Sequence, residues 1–125
     1  MKIAMASVSV EDPLKAFEFY TNVLGFQEKL YMPEMFLAIV VAPDDAEGVS
    51  LLLEPRGNLG SKEFFEGIYN AGLPVIVFGT EQIQADYERL KAKGVVFRKP
   101  PTKTEWGIET LFEDTCGNLI QLHQA

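Results

Sequence analysis

A shift of 69 residues lays the second half of the chain on the first: Leu14 falls on Ile83, Ala16 on Ala85, Gly25 on Gly94 and Met5 on Pro74. Whatever the first half builds, the second half must therefore build again. The first copy opens on a strand in which Ala4, Ala6, Val8 and Val10 face one way and Met5, Ser7 and Ser9 the other. Asp12 then caps a helix with Pro13 at its first position; Leu14, Phe17, Tyr20 and Leu24 recur at helical spacing until Gly25 stops it. Strands are expected over residues 26–32, 35–42 and, beyond an acidic turn at 43–48, over 49–54. Residues 55–60 are linker-like, and 61–71 read as a short helix with Phe64, Ile68 and Ala71 inward. The second copy repeats the pattern. It has a strand over 74–78, a helix capped by Thr80 with Ile83, Tyr87 and Leu90 on one face and Gly94 as stop, and strands over 95–99, around 108–112 and over 119–123. Asp114 and Asn118 close the turn before the last strand.

The pattern predicts an α+β fold of two tandem βαβββ units, about 1–55 and 73–125, joined by a linker and short helix over 56–72 in one domain spanning 1–125. Four strands and one helix leave a sheet face bare. The units are therefore expected to pack side by side as a curved mixed sheet around a cavity, with Met5, Leu52, Ile76, Phe78 and Leu119 facing inward. At 47% apolar and 23% charged residues the composition is that of an ordinary globule, and residues 1–6 show no secretory core, so a cytoplasmic location is expected. A net charge of −7 without a basic patch argues against nucleic acid and membrane as partners, and against phosphates and carboxylates as ligands. Cys116 and His123 are each the only residue of their kind, which removes internal disulfides, cysteine-rich metal centres and two-histidine iron sites. Cys116, in a turn, reads as inert.

Three motifs carry a resemblance. Val10-Glu11-Asp12-Pro13 with Phe19-Tyr20-Thr21-Asn22-Val23-Leu24-Gly25-Phe26, then Tyr87-Glu88-Arg89-Leu90-Lys91-Ala92-Lys93-Gly94-Val95, then Phe112-Glu113-Asp114-Thr115-Cys116-Gly117-Asn118-Leu119-Ile120-Gln121-Leu122 resemble the vicinal oxygen chelate superfamily. That superfamily includes glyoxalase I, bleomycin- and fosfomycin-resistance proteins and extradiol dioxygenases. The run Leu51-Leu52-Leu53-Glu54-Pro55-Arg56-Gly57-Asn58 is similar to its glyoxalase/bleomycin-resistance branch. The resemblance puts the family's four metal-ligand positions on Met5, Leu52, Pro74 and Gln121, a set with no charged ligand, so neither a bound metal nor another cofactor is expected.

The repeat also relates Glu54 to His123, and strand parity puts both on the cavity face. They form either a general-base pair, with Gln121 a displaced metal site, or two solvated or mutually paired groups at the barrel mouth. Glu54 alone is a candidate base, or a group that orients a ligand's hydroxyl or amine, or a partner of Arg56. Asn58 follows it on the rim. Tyr69 offers a hydroxyl or acts as a wedge, and Trp106 stacks on a flat ligand or seals a sheet edge. Met5, Met32 and Met35 line an adaptable pocket or fill core.

Two functions compete. One is metal-independent binding of a small amphipathic molecule, as bleomycin-resistance proteins sequester their drug. The other is a glyoxalase-type lyase or isomerase, or a dioxygenase-like enzyme, using Glu54 with Gln121 and His123. A vestigial interaction protein is a third reading, so whether the chain is an enzyme stays open. A homodimer is expected because apolar sheet edges around 35–42 need covering.

Overall fold

A computed structural model of the chain describes residues 1–57 and 60–125. They form two compact units, Met1–Phe65 and Glu66–Ala125. Each unit is a βαβββ arrangement with its own mixed four-stranded sheet, and the fold class is α+β.

In the first unit β1 (Met5–Val10) leads into α1 (Pro13–Glu18), followed by β2 (Gln27–Met32), β3 (Leu37–Ala42) and β4 (Asp45–Pro55). Asp12 caps α1 as expected: its Oδ1 accepts the amides of Leu14 and Lys15 at 2.9 and 3.4 Å, with Pro13 in the first turn. The helix continues as one π turn over Phe19–Val23 and ends at Gly25, whose φ of +89° only glycine adopts freely. The strand order is β1-β4-β3-β2, with β1 parallel to β4. Val8, Val10, Ala38, Val40, Leu51 and Leu53 are buried on the α1 face, where Phe17 stacks on Tyr31 at 3.9 Å. The other face carries Ser7, Leu52, Ile39 and Leu30 in one row across the four strands. Two expectations change here. The acidic turn is shorter than 43–48, because β4 already begins at Asp45 and pairs with Ala42. Residues 37–42 are an interior strand rather than a sheet edge, since β2 covers them; the exposed apolar groups are Met35 and Phe36, in the short 3-10 connection before β3.

α2 (Ser61–Asn70) straddles the two units. Its half-buried stripe is Phe65, Ile68 and Tyr69, so Phe64 and Ala71, expected inward, are exposed. The stripe is turned by one residue because the helix end is tied down through Tyr69, described below.

The second unit runs β5 (Pro74–Gly79), α3 (Ile83–Ala92), β6 (Thr102–Thr104), β7 (Gly107–Glu113) and β8 (Leu119–Gln124), in the sheet order β5-β8-β7-β6. Thr80 Oγ1 accepts the Gln82 amide at 3.1 Å, just ahead of α3, whose N-cap position is Gln82. The Thr80 hydroxyl is given to Asp86 Oδ2 at 2.5 Å, and the first helical amide, that of Ile83, is accepted instead by Gln124 Oε1 at 2.8 Å. Residues 95–99 form only an isolated bridge between Phe97 and Phe112, because Pro100 and Pro101 interrupt the chain; the sixth strand lies beyond them at Thr102–Thr104. A bulge between Pro74 and Ile76 reverses the parity of β5, so that Val77 rather than Ile76 or Phe78 lies beside Gln121. The β7–β8 turn closes as expected: Asp114 Oδ1 accepts the amides of Cys116 and Asn118 at 2.7 and 3.0 Å, and Asn118 Nδ2 donates to Asp114 Oδ2. Cys116 is buried in it.

Candidate functional site

The helix-free face of the second sheet gathers a polar cluster on β7 and β8. With Glu113 opposite Leu119 across the turn, alternate steps set Leu111 opposite Gln121 and Glu109 opposite His123. Gln121 Nε2 donates to Glu109 Oε2 at 3.0 Å, and Lys99 Nζ donates to Glu109 Oε1 at 3.2 Å. Both oxygens of that carboxylate are thus engaged. His123 Nε2 lies 3.0 Å from the Trp106 carbonyl, which can only accept, so this nitrogen carries the proton. The bond pins the β6–β7 hairpin tip to β8, while Trp106 is 79% exposed.

Tyr69 belongs to a second cluster of the same unit. Its hydroxyl donates to Glu113 Oε1 at 2.6 Å, Arg98 pairs with Glu113 Oε2 at 2.8 Å, and the guanidinium sits 5.4 Å from the Tyr69 ring centre. The hydrogen bond to Glu113 raises the Tyr69 hydroxyl above the ordinary phenol range. Tyr69 therefore anchors α2, with its hydroxyl already committed.

In the first unit Glu54 is exposed near the end of β4, opposite Ser9, and makes no hydrogen bond or ion pair with a described residue. The guanidinium of Arg56 lies over the Phe65 ring, 5.8 Å from its centre. Met5 is half-exposed at the start of β1, opposite Ser50 and one rung from Leu52 on the same face. Asn58 lies outside the described residues. Thus Gln121, His123 and Trp106 come together on one face of the second unit, Tyr69 joins a separate cluster, and Met5 and Glu54 belong to the first unit.

The family's metal positions do not fit a divalent cation. Met5 offers a thioether, Leu52 and Pro74 offer nothing, and the register brings Val77 rather than any ligating side chain beside Gln121. The nearest carboxylate, Glu109, already holds an ammonium. Among the described residues no group of three or more His, Cys, Asp or Glu side chains is arranged to hold a metal. An open groove of about 450 Å3 lies elsewhere in the second unit, at the start of α3, lined by Gln82, Ile83, Pro101, Lys103, Ile108 and Gln124; it contains none of the candidate site residues.

Sequence reasoning missed Glu109, Lys99 and Lys29. Glu109 was findable: the Asp114–Asn118 turn sets the β7–β8 register, and the register sets Glu109 opposite His123. Lys29 Nζ donates to the buried Ser50 hydroxyl at 2.7 Å, a contact that depends on the bulge in β2, for which the sequence carries no signal.

No helix among the described residues is long and apolar enough to cross a membrane. The protein is 45% identical over 126 residues to the uncharacterized protein YurT of Bacillus subtilis (strain 168), covering 99% of each chain. Among solved structures, UcmS2 matches with a TM-score of 0.81 at 28% identity, covering 98% of this chain and 97% of that one. TnmS3, an antibiotic binding protein from Streptomyces sp. CB03234, matches at 0.77 and 28% identity, covering 99% and 95%. Residues 2–122 match the model of one family over nearly the whole length, and the chain belongs to the Glyoxalase/Bleomycin resistance protein/Dioxygenase superfamily.

Proposed function

We propose that the protein binds a small amphipathic molecule without a metal, on a helix-free sheet face. The observation that carries this reading is the Lys99–Glu109–Gln121 chain: the carboxylate nearest the inherited metal position is neutralised and hydrogen-bonded, so it is unsuited to a cation and adapted to hold an amide in place. Apolar rows such as Leu30, Ile39 and Leu52 supply area for a ligand's body, and Glu54, with its carboxylate uncommitted, meets an amine. The antibiotic-binding relative TnmS3 supports the same reading. An enzyme using Glu54, Gln121 and His123 draws less support, because His123 Nε2 and the Gln121 amide are both engaged in holding structure.

The test is elemental analysis of dialysed, untagged protein together with a binding screen of aromatic amines and glycopeptide-like antibiotics. The reading expects no stoichiometric zinc, nickel, iron or manganese, and a binder weakened roughly tenfold by Glu54→Gln. About one metal per chain, or binding indifferent to that substitution, contradicts it. A homodimer belongs to the same proposal, supported by Met35 and Phe36, which are 63% and 55% exposed. Sedimentation at micromolar concentration giving only a monomer argues against it.

A further inference from the structure

The helix-free face of the first sheet carries a cation that the rest of the unit leaves unneutralised. Lys29 sits in the bulge of β2 and reaches across to Ser50, which is 1% exposed and lies on the same face as Leu52. Among the described residues Lys29 makes no ion pair, and Ser50 accepts its hydrogen bond without an acceptor for its own hydroxyl proton. The second unit gives the comparison. The 69-residue repeat of Lys29 is Arg98, and there Glu113 takes the charge. The residue of β3 that answers to Glu113 is Val41, opposite Ser50 as Glu113 is opposite Leu119. The chain thus neutralises one cation of the repeat and leaves the other charged above an apolar row.

We infer that this face receives the anionic headgroup of a small amphipathic molecule at Lys29, with Ser50 positioning the ammonium and Leu30, Ile39 and Leu52 holding the apolar body. An ammonium has three donors and only one is used, so two remain for a carboxylate, sulfonate or phenolate. The row is open at its outer end, where Leu30 is 40% exposed, while Ile39 beside it is 9% exposed; Met5, in the next row opposite Ser50, is 46% exposed. Glu54 stands four residues further along β4, about 13 Å away, and repels an anion there, which fixes the ligand's direction on the sheet. Net charge alone argues against anionic ligands; at this point the local charge is of the opposite sign and decides.

This inference rests on the binding reading above. The test uses two fluorescent probes of nearly the same shape, 8-anilinonaphthalene-1-sulfonate and its uncharged counterpart N-phenyl-1-naphthylamine, titrated against the full chain. The wild-type protein is expected to prefer the sulfonate about tenfold, Lys29→Met to abolish the preference, and Lys29→Arg to retain it, with circular dichroism confirming that each variant folds. A preference that survives Lys29→Met, or equal affinity for the two probes in the wild type, overturns the anion site and leaves the binding reading standing. Binding of neither probe overturns both.

Discussion

Gln121 donates its side-chain amide to Glu109 at 3.0 Å, across the β7–β8 ladder, and thereby turns the family's fourth ligand position into a hydrogen-bond donor. The other oxygen of Glu109 accepts from Lys99 at 3.2 Å. Removing the carboxylate with Glu109→Ala strands both donors. Because the pair is partly exposed, the loss of stability is expected to be about 1 kcal/mol, and a Glu109/Lys99 double-mutant cycle is expected to give a coupling of about 0.5–1 kcal/mol that shrinks with added salt. Urea denaturation of the four proteins measures it; zero coupling at low salt contradicts the arrangement.

Gly107 opens β7 at φ +136°, and a Cβ there would collide with the Gln124 carbonyl. Backbone, unlike a flexible side chain, cannot swing away. Gly107→Ala is therefore expected to destabilise the protein by about 2–3 kcal/mol and to free the hairpin tip that His123 holds. A lowered thermal midpoint checks the first part and a changed Trp106 emission the second.

Tyr69 gives a pH signature. Its hydroxyl is raised by the hydrogen bond to Glu113, so the folded state favours the neutral phenol more than the unfolded chain does. The stability it contributes is fully present below the ordinary tyrosine pKa of about 10 and is lost as pH rises through the higher folded value. Tyr69→Phe is expected to cost about 0.5–1 kcal/mol at neutral pH, and the gap to wild type is expected to narrow at strongly alkaline pH. Denaturant midpoints as a function of pH decide this; a gap that stays constant through the alkaline range contradicts it.

The repeat made the fold legible. Leu14 on Ile83 and Gly25 on Gly94 located both helices and their stops, and Asp12 with Pro13 and Asp114 with Asn118 formed the cap and turn expected of them. Side-chain parity failed where one inserted residue changed it: the bulge at 75 turned Ile76 and Phe78 away from Gln121, and no residue type announces a bulge. Thr80 accepts the Gln82 amide ahead of the helix, but the Ile83 amide is taken for a tertiary reason, by Gln124 from β8. The strand expected over 95–99 is only a bridge at Phe97, because Pro100 and Pro101 follow it and the ladder resumes beyond them at Thr102–Thr104. Of the site, Gln121 was found through the family resemblance and His123 through the repeat, whereas Glu109 and Lys99 required the register and Lys29 required the bulge.

Metal-independent binding is checked by thermal unfolding of dialysed protein in EDTA, against a panel of aromatic amines, aromatic sulfonates and glycopeptide-like antibiotics. A ligand that binds only the folded state raises the midpoint in a saturable way. The account predicts such a rise for at least one amphipathic compound, of equal size with and without EDTA. A rise that appears only after zinc, nickel, iron or manganese is added contradicts it.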